Sequence, residues 1–262
     1  MFRGRTVAVV IPAYNERDKI AATLRSVPGY VDHIIVVDDG SRDGTAAVAR
    51  RAGGRGRGRV VEVLCHESNR GVGAAIASGY ARAVARGAQV TAVMAGDGQM
   101  DPADLPRLLE PIVEGRADYA KGNRFAWPGQ GWRRMPPARL VGNVILSLAT
   151  RVSSGYWDLF DSQCGYTAAS RRALLAIAPE KMFARYGYPN DLLARLGAAR
   201  ARVVDVPVRP VYGPAWRSGL RPSRVALPIA LMLFRSFWRR LWALRAGRVA
   251  GALGAEPLGD GT

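Results

Sequence analysis

A chain of 262 residues and 28.2 kDa with 48% hydrophobic residues is long and apolar enough to bury one large core or two small ones, which excludes a disordered or fibrous protein. Thirty-eight Lys and Arg against 21 Asp and Glu leave +17, a balance suited to phosphates, anionic membranes or nucleic acid. Cys65 and Cys164 stand far apart, as do His33 and His66, so all four read as structural; no signal peptide is recognised, and no run reaches the ~20 apolar residues of a membrane span.

In chain order, residues 6–11 (TVAVVI) form a uniformly apolar, β-branched run that predicts a strand buried on both faces, ended by Pro12. Asn15 and Glu16 open a helix to about Val27, and residues 34–37 give a second buried strand that stops at Asp38, Asp39, Gly40 and Ser41. A helix over 45–52, a Gly/Arg loop over 53–59, a strand over 60–64, a helix over 71–86 and a strand over 90–94 continue the alternation. This pattern predicts a doubly wound α/β sheet whose ligands sit beyond the carboxyl ends of the strands, where each polar cluster falls.

The later half is less regular. A helix is expected over 103–114, a strand over 119–122, a Gly/Pro/Trp/Arg loop of lid length over 123–137, and a helix over 139–152. A strand over 165–169, a helix over 190–199 and a strand over 203–208 follow, then a basic loop over 213–222. The division expected is a catalytic domain over 1–222, an amphipathic membrane-interface or docking segment over 223–246, and a flexible tail over 247–262.

The chemistry concentrates in VTAVMAGDGQMDP at residues 90–102. If the chain stays extended past the strand, Ala95, Asp97 and Gln99 share a face, and the Asp97 carboxylate and Gln99 amide oxygen make a hard-oxygen pair for Mg²⁺ or Mn²⁺. The plainer alternative is a strand-to-helix turn with Asp97 and Asp101 capping the next helix. Asp38 and Asp39 stand where this fold class places an acid that accepts from a ribose hydroxyl or a base, and the Gly71-Val72-Gly73 turn opens a helix.

Taken together, VVIPAYNE, IIVVDDGSRDGT, NRGVGAA and GDGQMDP resemble the nucleotide-sugar domain of family 2 glycosyltransferases, with the GT-A fold, a Rossmann-like nucleotide-diphospho-sugar transferase domain. The resemblance continues through Gly122-Asn123-Arg124, the Arg139 helix with Asn143, DSQCGY at 161–166 and VVDVPV, and covers residues 6 to about 222. It is most similar to the branch containing dolichol-phosphate mannose synthase and bacterial polyprenyl-phosphate glycosyltransferases. The resemblance implies an inverting, metal-dependent hexosyltransferase that moves a sugar from a nucleotide diphosphate (GDP-mannose or UDP-hexose type) to a polyprenyl or dolichyl phosphate. It also implies a cytoplasmic location, peripheral on the inner face of the cell membrane.

By the same resemblance, Pro12, Ala13, Tyr14, Glu16, Asp38, Asp39, Gly71, Gly96 and Asp97 hold the nucleotide, Asp97 and Gln99 hold the metal, and Arg124 and Arg139 meet phosphate oxygens. Asp191 is the base if the acceptor is a hydroxyl, or else a helix cap; Arg217 and Arg221 are weaker candidates. Ala95 stands where the family's metal motif has its first carboxylate. Donor phosphates and waters, or Asp101, would then complete the shell, or the chain would bind nucleotide without turning it over. A transferase with a saccharide or glycolipid hydroxyl acceptor remains the alternative. No helix-turn-helix, zinc-finger or RNP signature supports a nucleic-acid partner.

Overall fold

The computed structural model describes residues 1–53, 60–128, 137–209 and 222–245. Seven strands form one sheet in the order β3-β2-β1-β4-β6-β5-β7. β1 (Val7–Ala13), β2 (His33–Asp38), β3 (Val60–Cys65) and β4 (Val90–Val93) are parallel, joined through α1 (Arg17–Ser26), α2 (Thr45–Gly53) and α3 (Val72–Ala85). α4 (Leu105–Val113) leads to β5 (Tyr119–Asn123), and α5 (Pro137–Ser154) to β6 (Thr167–Ser170). β6 runs antiparallel to both β4 and β5, whereas β7 (Val203–Pro207) is parallel to β5.

Strand alternation explains the two cores. Val7, Val9 and Ile11 face one layer with Ile20, Leu24 and Leu109, while Ala8 and Val10 face the other with Ile76, Tyr80 and Leu193. Each face is covered by helices, which is why these strands read as continuous apolar runs. The chain adds β2 and β3 on one side of β1 and then β4 on the other, so the topological switch point lies between β1 and β4.

The structure corrects three expectations. Pro12 does not end β1, which pairs with β2 as far as Ala13↔Asp38. The Pro12 carbonyl accepts from Gly96 N at 3.2 Å, so its hydrogen-less nitrogen points to the same side, toward the end of β4, and leaves the pairing with β2 on the other side intact. The chain does not stay extended from Ala95 to Gln99: β4 stops at Val93, residues 96–97 form a turn and Gly98 has φ +73°. Alternation therefore does not place Ala95, Asp97 and Gln99 on one face. α6 (Arg171–Ile177) falls where no helix was expected, whereas α7 (Tyr188–Ala198) matches the helix expected over 190–199 with a start two residues earlier.

α8 (Pro222–Arg245) packs against α5 and α7, and Arg240 donates to the Val152 carbonyl at 2.8 Å. It buries Ile229, Met232 and Ser236 and leaves Leu231, Phe234, Trp238 and Trp242 exposed. On α5, Val141, Val144, Ile145, Leu148 and Val152 are exposed at helical spacing. Among the described residues, no helix is long and apolar enough to cross a membrane. The tail over 247–262 and the basic loop with Arg217 and Arg221 lie outside the described residues.

Candidate active site

The carboxyl ends of β1 and β2 open into a cavity of about 140 Å³ lined by Pro12, Ala13, Tyr14, Asp39, Gly71 and residues of the α3 start. Five of the expected nucleotide residues thus meet in one place. Asp39 is almost fully buried; its Oδ1 accepts from His66 Nδ1 at 2.7 Å and Arg70 N at 2.9 Å, and its Oδ2 from Gly71 N at 2.7 Å. The far side of the imidazole, Nε2, lies 3.0 Å from Ser78 Oγ on α3. These bonds use three of the roughly four acceptor sites of a carboxylate.

The loops around this cavity are tied by short polar side chains. Asn15 sits at φ +54°, its N–H donates to Ser41 Oγ, and its Oδ1 accepts from Arg42 N at 3.0 Å. Glu16 N donates to Thr45 Oγ1, and Arg17 N to Asp43 Oδ2. Asp38 Oδ1 accepts from the backbone and hydroxyl of Ser41, so Asp38 shapes the β2–α2 turn and does not line the cavity. Gly96 does not line the cavity; it sits behind Pro12, its N–H on the Pro12 carbonyl and its own carbonyl accepting from Thr23 Oγ1 at 3.1 Å.

Beside the cavity, Asp97 Oδ1 accepts from Gln99 N at 3.0 Å, an Asx-type turn. Burial pushes the Glu16 carboxyl upward; Lys19 opposes this, and the negative charges of Asp97 and Asp43 reinforce it. Glu16 is already paired with Lys19 at 3.2 Å, which leaves Asp97 as the carboxylate open to a cation. Among the described residues no group of three His, Cys, Asp or Glu forms a metal cluster. Asp97 with Glu16 nearby still fits a hard cation that takes its other ligands from water and substrate phosphate. Asp101 is committed elsewhere, capping Ala103 N at 2.9 Å and pairing with Arg209 at 2.9 Å, so it is not poised to replace the missing carboxylate at Ala95.

The arginines divide. Arg124 makes a bidentate pair with Asp161, Nε to Oδ2 at 2.7 Å and Nη2 to Oδ1 at 2.9 Å. Burial would raise the Asp161 carboxyl, but Arg124 and Lys121 hold it below its usual range. Arg139 lies on the first turn of α5, with its side chain outside the described residues. Asp191 Oδ2 accepts from Phe183 N at 2.9 Å and Arg195 Nε at 2.8 Å, so the carboxylate anchors the 183 segment from inside α7.

Several residues were not singled out from sequence. Lys121, fully buried in β5, donates to the Cys164 carbonyl at 2.5 Å, and burial lowers its pKa. Asp205 accepts from Asn123 Nδ2 and Phe160 N, both at 2.8 Å, and burial raises its carboxyl to about 6. A lysine amid an apolar strand pattern, as in DYAKGN, was the available signal.

The family model described as "Glycosyl transferase family 2" matches residues 8–177. The UDP-N-acetylglucosamine–dolichyl-phosphate N-acetylglucosaminyltransferase of Methanococcus voltae is 29% identical over 79% of this chain and 86% of its own length. The polyprenol monophosphomannose synthase of Mycolicibacterium smegmatis is 35% identical over 76% of this chain and 75% of its own. Glucosyl-3-phosphoglycerate synthase of Mycobacterium tuberculosis, crystallised with Mn²⁺, UDP and glucosyl-3-phosphoglycerate, superimposes with a TM-score of 0.63 at 22% identity, covering 89% of this chain and 80% of that one.

Proposed function

We propose a reaction for this chain, which belongs to glycosyl transferase family 2 and is a glycosyltransferase of GT-A fold: inverting transfer of a sugar from a nucleotide diphosphate to polyprenyl phosphate. The carrying observation is the buried Asp39 carboxylate, with one acceptor site to spare, in a cavity at the switch point of the sheet. The relatives' names, which specify dolichyl-phosphate and polyprenol acceptors, support the lipid phosphate. The donor is of GDP-mannose or UDP-hexose type.

In this reading Tyr14, Ala13, Pro12, Asp39 and Gly71 seat the nucleoside, with Gly96 supporting Pro12 from behind and Asp38 and Glu16 fixing the loops. Asp97, with the Glu16 charge beside it and Gln99 next in the turn, would hold Mg²⁺ or Mn²⁺. Such an ion, when bound, neutralises charge developing on the leaving diphosphate. The acceptor phosphate, with a second pKa near 6, is substantially a dianion at neutral pH and attacks the anomeric carbon directly. The new C–O bond forms to the lipid phosphate as the bond to the diphosphate breaks, inverting the centre. No protein base is needed, which agrees with the Asp191 carboxylate being engaged by Phe183 and Arg195. Arg139, on α5, is the group to orient the acceptor phosphate, while Arg124, its guanidinium fork taken up by Asp161, holds the end of β5.

The exposed apolar stripes of α5 and α8 support seating at a membrane surface, from the cytoplasmic side, where such a lipid presents its phosphate. The deciding experiment supplies radiolabelled UDP- and GDP-sugars with Mn²⁺ to the full-length protein and polyprenyl phosphate in anionic vesicles. Label in an acid-labile lipid fraction is expected. Label transferred only to soluble saccharides would overturn the acceptor assignment.

A further inference from the structure

The cavity at the ends of β1 and β2 has a wall that its βαβ half does not supply. Arg185 and Tyr186 reach it from the segment preceding α7, on the other half of the sheet. That segment is pinned to the start of α3. Ala74 N donates to the Ala184 carbonyl at 3.0 Å, and a Cβ on Gly73 would lie 2.1 Å from the Phe183 carbonyl oxygen. The Asp191 carboxylate holds Phe183 N from behind. The backbone is thereby fixed while both side chains stay exposed, and Arg185 makes no side-chain hydrogen bond or ion pair among the described residues.

The lining therefore combines a guanidinium that only donates, a carboxylate that only accepts, and two half-exposed aromatic rings, Tyr14 at 48% and Tyr186 at 45%, from different segments. A flat ring with an N–H beside a C=O on its edge meets every one of these groups. Neither Asp97 nor Gln99 lines the cavity, so the diphosphate end of a donor lies outside it. We propose that Arg185 and Tyr186 bind the nucleobase of the donor, Arg185 donating to a base carbonyl and Tyr186 covering the ring face. The ligand class is a nucleoside with such a lactam edge, uracil or guanine. The inference rests on the cavity being the donor site.

The test uses the full-length protein. Uridine and guanosine are titrated by saturation-transfer NMR, and UDP and GDP with Mn²⁺ by calorimetry, so that the arms separate the two bases. Arg185→Ala should weaken the preferred nucleoside and its diphosphate by the same factor, on the order of tenfold or more, as expected for a lost hydrogen bond from a charged donor. The donor KM should rise with kcat retained, Tyr186→Phe should bind like wild type, and Tyr186→Ala should bind several-fold more weakly. Thermal midpoints without nucleotide should match wild type, because neither side chain is buried. Unchanged affinities, or a loss with the diphosphate that is absent with the nucleoside, would overturn the proposal, the latter by assigning Arg185 to phosphate. Wild-type protein that binds UDP or GDP but labels no lipid would sink the acceptor reading alone; binding of neither would sink both.

Discussion

On the parallel side of the sheet, β1 and β2 bury Val7 through Ile11 and Ile34 through Val37 with no charge among them, and the carboxylates appear only at the strand tips. Beyond β4 the arrangement is reversed: Lys121 lies inside β5, and Asp161, Arg124, Asn123 and Asp205 are packed around it. Along β1 and β2, stability and chemistry are separated. The other half merges them, because a buried charge is stable only while each partner is present. Substitution of a partly exposed group beyond the strand ends, such as Asp97, should therefore alter function with little cost to folding, while substitutions in the β5 cluster should do both.

The strongest test of that contrast is Asp161→Ala. It leaves Arg124 and Lys121 buried without their carboxylate, and a loss of about 3–5 kcal/mol is expected from broken buried pairs, read by urea denaturation. A loss below about 1 kcal/mol would mean the pair is solvated. Asp205→Asn probes the same cluster through pH. With its carboxyl raised to about 6 from an ordinary 3.8, native Asp205 keeps a proton that the unfolded chain has released, so stability falls as pH rises between these values. The wild type should lose up to about 3 kcal/mol across that window on this account, and Asp205→Asn should flatten the slope there. An unchanged slope would return Asp205 to an ordinary ionised carboxylate.

On the parallel side, Asp97→Asn should reduce turnover by on the order of a hundredfold, the scale for losing one preorganised electrostatic contact, with an unchanged thermal midpoint. Turnover like wild type would remove Asp97 from the chemistry; a large drop in midpoint would erase the contrast between halves. The smallest effect is expected from Ala95→Asp. A second carboxylate two residues from Asp97 should tighten apparent Mn²⁺ affinity by a few fold, since partly solvated charges interact by about 1 kcal/mol or somewhat more. Weaker Mn²⁺ binding would show that the turn at Gly96 and Asp97 points residue 95 away from the ion.

The contrast also explains what sequence could reveal. Uniform β-branched runs with acids at their ends made β1, β2, β4 and the Asp39 cavity legible, because burial on both faces leaves only one place for polar residues. Pro12 misled because a missing N–H matters only where a neighbour would accept it. Asp97 to Gln99 misled because period-2 reasoning assumes an extended chain, and Gly98 at φ +73° breaks that assumption. The Lys121 cluster was legible only at Lys121 itself, a charge inside an apolar strand pattern: its partners come from the 161 segment and β7, and no local pattern announces which distant residues they are. Arg185 and Tyr186 were hidden for the same reason, being brought to the cavity by the long-range contact of the α3 start with Phe183 and Ala184.

The reversal of β6 has a consequence for what this architecture tolerates. β5 and β6 are antiparallel neighbours, with Lys121↔Thr167 in register and Gly122 N bonded to the Tyr166 carbonyl, so a two-residue hairpin would have sufficed to join them. Residues 124–166 are in effect one enlarged hairpin loop, which carries α5 and its exposed apolar stripe and is clasped at its neck by the Arg124–Asp161 pair. Each doubling of such a loop costs only about 0.6 kcal/mol in closure entropy. Closure entropy therefore sets little limit on the length of the excursion, but its neck is fixed, because Asp161 and the Cys164 carbonyl hold Arg124 and Lys121. Room to vary lies between Arg124 and Asp161, where the exposed face of α5 can change while β5 and β6 keep their register.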